Sequence, residues 1–462
     1  MNTSYKVKFW EIRPNKSAKS TKPISYTVRW TVAGREKSKT YEKSAQAKNW
    51  LSDLRQAAKN GEAFDIDSGL PVSMVKAKEA RTVFDFVRAY VEMKWPHAAP
   101  KSRDSMSDSL ATVLPILTRE TPGRPDADTL RTALRKYALL PESKRPVPPP
   151  DMARAIRWLE TASLGVPDLN ETKTVRAALD ALALLLDGKK ASANTVKRKR
   201  AVLHNVLEYA VELEELASNP LHRVKWSPPK TTETVDPRVV VNPRQARELL
   251  TALTYVGKRG HGRRGRGQRL MALFACMYFA ALRPGEAVSL RQDDCHLPRT
   301  GWGRLTLDVS RPEVNTQWTD SGDAHELRGL KHRGEDDVRV VPIPPELVKI
   351  LRQHIEEFGV AADGRLFQSE RGGVVASTAY TEVWQEARTL ALTPAQVASP
   401  LARRPYDLRH AAVSLWLNGG VPAPEVAVRA GHGVDVLLRV YAKCVDGQEK
   451  IVNRRIEEAL AA

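Results

Sequence analysis

A polar segment that contains two adjacent prolines, residues 226–236 (WSPPKTTETVD), is the feature that most restricts how this chain can fold. Its composition is typical of an extended linker between domains. A helix-start signal, Asn242-Pro243, follows it. The chain has 462 residues, which is too long for a single hydrophobic core. We therefore expect about three domains, at 1–65, 78–226 and 237–462.

The first of these domains is predicted to be a small β-sheet followed by a helix. Apolar and polar side chains alternate from Tyr26 to Val32, as in a strand with one buried face. The segments Tyr5–Arg13 and Arg35–Tyr41 are candidate partner strands, with a turn at Ala33-Gly34. Ser44 fits the N-cap of the helix that follows.

The same segment is strongly basic. Residues 1–60 contain ten lysines and four arginines against four acidic residues, a net charge of +10 out of +19 for the whole chain. A basic protein of this size usually meets a polyanion, and nucleic acid is the leading candidate, although composition alone leaves an anionic membrane surface open. A solvated basic face is the ordinary alternative. We favour a sheet that binds DNA through residues such as Lys6, Lys8 and Arg29.

The second domain is predicted to be an all-helical bundle. Thr82 to Asp85 has the form of a capping box, and Ser102 to Leu117 is a candidate helix. Two apolar stripes predict two further helices: Val175, Ala178, Leu179, Leu182 and Leu186; then Leu203, Val206, Leu207, Ala210 and Val211. The second of these begins with a basic turn suited to phosphates, although such a run is usually a solvated face: Lys197, Arg198, Lys199 and Arg200.

Several classes of protein are disfavoured by the sequence. There is no apolar run of membrane-spanning length and no secretory leader, so we expect a cytoplasmic protein with no membrane partner. Cys276, Cys295 and Cys444 are odd in number and lack paired metal-ligand spacing. Reduced thiols are expected, with no disulfide framework, zinc site or other metal.

The third domain contains short segments that could carry chemistry. An apolar helix, Met271–Ala281, leads into Leu282-Arg283-Pro284-Gly285-Glu286, and Leu330-Lys331-His332-Arg333 follows a strand. The stretch 403–444 then supplies a guanidinium, an imidazole and a phenol at Arg409, His432 and Tyr441. Each has an ordinary explanation when taken alone: Arg283 paired with Glu286, Lys331 as a surface lysine at a hairpin tip, and Tyr441 packed between helices.

Taken in order, these segments are much more specific. The set ALRPGE, LKHR, YDLRH, AGH and a tyrosine nine residues after that histidine resembles the tyrosine recombinase (phage integrase) family. The resemblance covers about 237–462, and the domain order is similar to the larger integrases with an N-terminal arm-DNA-binding module. It implies an α+β multidomain fold: a sheet-plus-helix module, a helical core-binding domain, and a mainly helical catalytic domain with a small antiparallel sheet.

The resemblance also implies roles for individual residues. Arg283 and Arg409 would hold the scissile phosphate, because cations fixed on its oxygens stabilise the transition state. Tyr441 would be the nucleophile that forms a 3′-phosphotyrosine link. Lys331 would protonate the departing 5′ oxygen, and His432 would donate a hydrogen bond to the phosphate.

One position departs from the family pattern. The family most often has histidine where this chain has Tyr406, and a phenol cannot supply the charge of a protonated histidine. A catalytic role for Tyr406 is therefore left open. His410 and Asp407 are expected to orient Arg409, and Glu286 to brace Arg283.

The implied function is site-specific recombination of DNA without a cofactor. A homo-tetramer would join two double-stranded attachment sites through a Holliday junction, with an excisionase and a DNA-bending protein as possible partners. The setting would be the nucleoid of a bacterial or phage-infected cell. Two alternatives remain: supercoil relaxation of the type IB topoisomerase kind, and a non-catalytic DNA-binding protein. The tail 448–462 predicts a helix that docks either on a neighbouring subunit or on its own.

Overall fold

The chain forms two compact units, Met1–Pro229 and Lys230–Ala462. The computed structural model describes residues 2–16, 23–231, 234–257, 265–330, 337–444 and 449–461, and at 76–79, 449–452 and 455 it describes the backbone alone. Helices and small antiparallel sheets occur in both units, so the predicted α+β class is confirmed. Among the described segments, no helix has the length and apolar character needed to cross a bilayer. The division into three domains stays a prediction.

The first unit opens with small sheets built around one long strand. The strands are β1 (Thr3–Ser4), β2 (Val7–Phe9), β3 (Arg13–Lys16), β4 (Pro23–Val32), β5 (Arg35–Tyr41) and β6 (Phe64–Asp65). β4 pairs with β2 and β3 along one edge and with β5 along the other, while β1 pairs with β6. The predicted strand Tyr5–Arg13 is thus shorter than expected, since β2 ends at Phe9 and a second strand, β3, begins at Arg13; each pairs with one half of β4. The predicted turn is present, with Ala33 and Gly34 at φ of 49° and 84°.

A helix, α1 (Ser44–Lys59), covers one face of this sheet. Its buried residues Ala47, Leu51 and Leu54 pack in one core with Val28 of β4. The predicted N-cap is wrong by one residue, because Ser44 is already helical and the extended residue before it is Lys43. The opposite face of the sheet carries the polar side chains of the β4 alternation.

The rest of the first unit is helical, as the apolar stripes predicted. Its helices are α2 (Val72–Glu79), α3 (Val83–Lys94), α4 (Pro100–Val113), α5 (Ala127–Ala133), α6 (Pro150–Ala162), α7 (Thr172–Leu182) and α8 (Ala193–Glu212). The Thr82 side chain accepts a hydrogen bond from the Asp85 amide at 3.0 Å, which confirms the predicted start of α3. The assignment of Leu186 to a buried stripe is wrong, because α7 ends at Leu182 and Leu186 is exposed.

The second unit is mainly helical. Its helices are α9 (Pro243–Leu253), α10 (Arg266–Phe279), α11 (Pro284–Ser289), α12 (Pro345–Phe358), α13 (Ser377–Ala391), α14 (Pro394–Ala398), α15 (Asp407–Asn418), α16 (Ala423–Ala430), α17 (Val434–Tyr441) and α18 (Glu449–Leu460). Asn242 and Gln245 form a reciprocal capping box at the predicted start of α9. Helix α10 is apolar on nearly every side, and α9, α12 and α15 pack around it.

Short strands lie beside these helices. They are β7 (Cys295–His296), β8 (Gly303–Leu307), β9 (Val309–Ser310), β10 (Arg328–Gly329) and β11 (Arg339–Ile343). β8 lies between β11 and β7, with Val341 opposite Leu305, and β9 pairs with β10. In β11 the side chains of Arg339, Val341 and Ile343 face the interior. The predicted hairpin tip, residues 331–336, lies outside the described residues.

Candidate active site

Arg409 lies in the first turn of α15 and is fully buried. Its Nη1 atom donates to the carbonyl of Ala281, and its Nη2 atom donates to the carbonyl of Ala430. Nη2 also lies 2.7 Å from Nε2 of His432. Burial lowers the pKa of Arg409, but an arginine has so high a pKa that it stays protonated at neutral pH. The fold thus fixes a cation inside the unit.

The carbonyl of Ala281 is available to Arg409 because of the way α10 ends. Ala281 has a left-handed backbone, with φ of 51°. The amide of Leu282 reaches back to the carbonyl of Cys276 at 3.3 Å. This hydrogen bond closes the end of the helix around Ala281, at a left-handed position that is usually glycine. The turn leads directly into Arg283.

Glu286, in the first turn of α11, holds two arginines from distant parts of the chain. Its Oε1 atom accepts from Nη1 of Arg283 at 2.7 Å, and its Oε2 atom accepts from Nη2 of Arg339 at 2.7 Å. The Arg283 amide also donates to this carboxylate at 2.7 Å. Glu286 and Arg339 are each 1% exposed, whereas the Arg283 side chain is 18% exposed. The expected bracing of Arg283 by Glu286 is therefore the geometry observed.

These groups form a cationic cluster, which we define as Arg283, Glu286, Arg339 and Arg409. Three guanidinium groups and one carboxylate leave it a net charge of +2. Burial acts to raise the pKa of Glu286, but Arg339, with help from Arg283 and Arg409, lowers it to about 2. The carboxylate therefore stays ionised at neutral pH. A buried site with surplus positive charge favours an anion.

Gly431 lies in close contact with two residues of the cationic cluster, Arg283 and Arg339. It ends α16 in a left-handed conformation, with φ of 64°, and its carbonyl accepts from Nη2 of Arg283 at 2.8 Å. A Cβ atom at this position would lie 2.3 Å from Nη1 of Arg339. Both the backbone conformation and the close approach of Arg339 require glycine.

His432 follows this glycine and has an unused hydrogen-bond donor. Arginine can only donate, so Nε2 of His432 must accept from Arg409, which places the ring proton on Nδ1. Burial, then Arg409 and Arg283, lower the pKa of His432 to about 3, so the ring is neutral at pH 7. Among the described residues, the buried Nδ1 of His432 and Nε of Arg409 have no hydrogen-bond partner. Unpaired buried donors of this kind suit an anionic ligand.

The phenol of Tyr441 lies beside these donors. Tyr441 is the last residue of α17 and is fully buried, with its ring 6.1 Å from the ring of His432. Its hydroxyl lies 2.9 Å from Nδ1 of His410, in hydrogen-bond contact. Burial raises the pKa of Tyr441 above its ordinary value, and burial together with Arg404 and Arg409 lowers the pKa of His410 to about 4. At neutral pH a neutral phenol therefore meets a neutral imidazole.

Two predicted contacts of the α15 residues are different in the structure. His410 was expected to orient Arg409, but it contacts Tyr441, because successive residues of a helix point in different directions. Asp407 was also expected to support Arg409. It instead accepts from the amide and from Nη2 of Arg404, at 2.8 and 3.1 Å.

Tyr406 lies at the edge of the site. Its ring meets that of His410 edge to face, with 5.1 Å between centroids. Together with Pro284, Arg403 and Arg404 it also lines a surface pocket of about 560 Å³. The Tyr406 ring thus packs on His410, and its phenol is also close enough to Arg409 and Tyr441 to influence the pKa of both groups. Lys331 lies outside the described residues.

The predicted DNA-binding residues of the first unit have different environments. Lys6, Lys8 and Arg198 are exposed, and Lys197 is half-buried. Arg29 contacts Glu36 at 3.4 Å, and Arg200 stacks over Trp226 at 4.3 Å. Among the predicted DNA-binding residues, Lys199 is the one that is buried.

Lys199 has a contact within the fold instead of an open surface. It is 6% exposed, and its Nζ atom lies 3.1 Å from Oγ1 of Thr112 and 3.5 Å from Asp108. In this conformation its ammonium group links α8 to α4 and is not presented to a phosphate. Of the four basic residues of this turn, Lys197, Arg198 and Arg200 are the ones that are not fully buried.

Sequence reasoning missed Arg339. The signal was present, since an arginine at an inward-facing position of the strand Arg339–Ile343 should find a buried partner. Its partner Glu286 is 53 residues earlier in the chain, and the strand pattern alone does not identify it.

Comparison with known proteins gives a consistent result. No protein-family model matches the sequence. The chain is 21% identical over 275 residues to a XerC-like tyrosine recombinase of Caldanaerobacter subterraneus subsp. tengcongensis, which is 56% of this chain and 64% of that protein. The chain resembles tyrosine recombinases. It spans less than two thirds of the length of this relative.

Solved structures of recombinases and integrases are also similar. The Tn1549 transposon integrase in complex with circular intermediate DNA is 15% identical, over 67% of this chain and 92% of that one, with a TM-score of 0.45. The XerH site-specific recombinase bound to its difH substrate is 13% identical, over 78% and 94%, with a TM-score of 0.42.

Proposed function

We propose that this chain breaks and rejoins DNA strands at specific sites through a 3′-phosphotyrosine bond to Tyr441. The observation that carries the proposal is the contact of the Tyr441 hydroxyl with His410, beside the cationic cluster. Attack on a phosphodiester needs a nucleophile with a proton acceptor and a cationic site for the phosphate oxygens. The sequence similarity to a tyrosine recombinase supports the same chemistry.

The phosphate would be bound by the donors that the fold leaves available. Nδ1 of His432 and Nε of Arg409 lack partners among the described residues, and Arg283 is partly open to solvent. Arg339 and Glu286 would act indirectly, by holding Arg283 in place. Loss of one donor that stabilises the developing charge should lower the rate about 10²–10³-fold.

The chemical step then involves three groups. The Tyr441 oxygen attacks phosphorus as His410 accepts the phenolic proton, and the bond from phosphorus to the 5′ oxygen breaks. Lys331 donates a proton to that oxygen. The 5′-hydroxyl of another strand reverses the step, and since the phosphotyrosine keeps the bond energy, neither ATP nor a metal ion is needed as a reactant.

Exchange of strands between duplexes would require several copies of the chain on DNA. We propose a homo-tetramer that joins two double-stranded attachment sites, with an excisionase or DNA-bending protein as possible partners. The basic N-terminal sheet would bind a second, arm-type DNA segment through residues such as Lys6 and Lys8. Arg198 and its neighbours on α8 would contact the core site.

The decisive test is covalent trapping. The attachment site is first read by sequencing the junctions of the element that encodes the chain. A duplex with this site and a nick beside the cleavage position is then incubated with protein, because loss of the short 5′-hydroxyl fragment prevents religation. Wild-type protein should form an adduct that survives denaturing electrophoresis. Tyr441→Phe should abolish the adduct and keep DNA binding.

A matched control variant shows whether loss of the adduct is specific to Tyr441. Tyr255 is 77% exposed in the same unit, and Tyr255→Phe should form the adduct at the wild-type rate. An adduct that persists in Tyr441→Phe would reject Tyr441 as the nucleophile. Specific binding without any wild-type adduct would support a non-catalytic DNA-binding protein instead.

The role of Lys331 has its own test. Lys331→Ala should cleave ordinary DNA slowly, because the 5′ oxygen is a poor leaving group without a proton. Replacing that oxygen with sulfur removes the need for the proton and should restore cleavage by this variant. Arg409→Lys serves as control, since a defect in charge stabilisation should persist with the sulfur substrate. Equal rescue of both variants would argue against Lys331 as the acid.

A further inference from the structure

A group of metal-ligand residues lies in the first unit, apart from the proposed chemistry. His204 and Glu208 are one turn apart on α8, and His222 belongs to the 3₁₀ helix Pro220–Arg223. Oε1 of Glu208 lies 3.5 Å from Nε2 of His204 and 3.9 Å from Nε2 of His222. One ligand atom from each residue lies within 4.8 Å of the others.

We propose that His204, Glu208 and His222 bind a divalent late first-row metal ion of the Zn²⁺ class. Two imidazoles and one carboxylate are donors that zinc accepts, at metal–ligand distances of about 2.1 Å. Such distances place neighbouring tetrahedral ligand atoms about 3.4 Å apart. The observed separations of 3.5 and 3.9 Å approach this value, so small rotations of the side chains bring the set to coordination distance.

A buried side chain already fixes the carboxylate. Nδ2 of Asn219 donates to Oε1 of Glu208 at 2.7 Å, and Asn219 is 2% exposed. The Asn219 side chain also accepts from the amide of Leu221, at the start of the 3₁₀ helix. A hydrogen bond from outside the ligand set that orients a ligand carboxylate is a common feature of metal sites.

The position of the site indicates what the metal would do. It joins α8 to the 3₁₀ helix across residues 213–219, where Glu214 has a left-handed backbone with φ of 57°. The side chains of His204, Glu208 and His222 are 32%, 45% and 64% exposed, so an ion can enter from solvent. We assign the metal a stabilising role at the end of the first unit, separate from DNA cleavage. It would bind the folded state in preference to the unfolded state.

The test uses full-length protein without a histidine tag, stripped with a chelator and titrated with Co²⁺ and then Zn²⁺. We expect one equivalent of Co²⁺ to give visible d–d absorption that Zn²⁺ displaces, and the melting temperature to rise with Zn²⁺. His222→Ala should weaken Zn²⁺ binding at least about tenfold, and Glu208→Gln should do likewise.

A matched control variant is available, and two results would overturn the proposal. His97 is an exposed histidine of the same unit, and His97→Ala should bind Zn²⁺ like wild type. The proposal is overturned if wild-type protein shows no saturable Co²⁺ absorption. It is also overturned if His222→Ala and His97→Ala bind Zn²⁺ with equal affinity, which would leave His204 and Glu208 as an ordinary side-chain contact on one helix.

Discussion

The proposed chemistry depends on one imidazole, that of His410, which contacts the phenol of Tyr441. Nδ1 of His410 lies 2.9 Å from the phenol oxygen, and its pKa of about 4 keeps the ring neutral, and so able to accept a proton, at neutral pH. The raised pKa of Tyr441 makes spontaneous loss of the phenolic proton rare. Proton transfer to His410 during the attack would avoid a free phenolate.

We predict that His410→Ala lowers the rate of cleavage about 10²–10⁴-fold, the usual value of general-base catalysis. The pH profile should change as well. The wild-type rate should be flat between about pH 6 and 8, because His410 stays neutral until the pH falls toward 4. The variant must use phenolate, whose fraction rises about tenfold per pH unit below its pKa.

Single-turnover adduct formation measured from pH 6 to 9, at about whole-unit steps, separates the two profiles. His296→Gln is the control, since it changes an exposed histidine of the same unit and should keep the flat profile. A flat profile in His410→Ala would show that another group accepts the proton.

Acid stability is a second prediction about these side chains. His432 and His410 have pKa values lowered from 6.5 to about 3 and about 4, so the unfolded state binds more protons as the pH falls below 6.5. Stability of the second unit should therefore decrease from about pH 6.5 downward, by up to about 1.4 kcal/mol per pH unit for each such histidine. Glu286, lowered to about 2, adds a further loss below its ordinary pKa of 4.5.

Thermal unfolding measured between about pH 7.5 and 5 checks this slope. His432→Gln removes one titrating ring and should lose less stability over that interval than wild type. His296→Gln changes an exposed histidine of the same unit and should show the wild-type slope. A slope that is equal in wild type and His432→Gln would contradict the lowered pKa of His432.

The order of the motifs along the chain predicted that Arg409, His432 and Tyr441 come together, but it did not predict their contacts. Arg409 donates to Ala281, which is 128 residues away, and no local pattern encodes that pairing. The adjacency of His410 and Arg409 in the sequence predicted contact between them, whereas helix geometry turns His410 toward Tyr441. The directions in which side chains leave α15, rather than their order in the sequence, determine which residues Arg409 and His410 contact.

At the scale of elements, the turn between α16 and α17 is the most demanding connection in the site. Gly431 combines a φ of 64° with the close approach of Arg339. We predict that Gly431→Ala destabilises the second unit by about 1–3 kcal/mol, because of backbone strain and displacement of a buried arginine. Cleavage should fall along with stability, since the strained backbone would shift the carbonyl of residue 431 that accepts from Arg283.

Chemical denaturation and the adduct assay on the same samples check this prediction. Gly373→Ala is a suitable control, because Gly373 lacks a positive φ and its added Cβ would lie 3.5 Å from Ser369. It should leave both stability and cleavage unchanged. Wild-type stability in Gly431→Ala would mean that Arg339 can move aside without loss.

Elements with strong local signals could be predicted from sequence, and elements fixed by distant partners could not. Thr82 and Asn242 form side-chain caps that are visible in the sequence, and both mark helix starts correctly. The apolar stripe predicted a helix that reaches Leu186, whereas α7 ends at Leu182. The split of the first strand into β2 and β3 follows from pairing with the two halves of β4, which is a tertiary effect.

At the scale of the whole molecule, positive charge is concentrated in the N-terminal segment. Residues 1–60 carry +10 of a total of +19. In β2, Lys8 lies opposite Thr31 of β4, on the sheet face away from the core residues Val28 and Trp30. Helix α1 covers the other face. The charge count was visible in the sequence, whereas the division between an open and a covered face required the strand register.

The contrast between the open face of the sheet and the face that α1 covers predicts how DNA binding depends on salt concentration. Each phosphate contact adds about 0.9 to the slope of log K against log salt concentration for duplex DNA. Replacing Lys6 and Lys8 with glutamine should therefore reduce the slope for a random-sequence duplex by about 2. Replacing Lys48 and Lys59, which are exposed on α1, removes the same charge from the other side and should change the slope much less. Equal reductions in the two double variants would show that the sheet attracts DNA through net charge rather than through its open face.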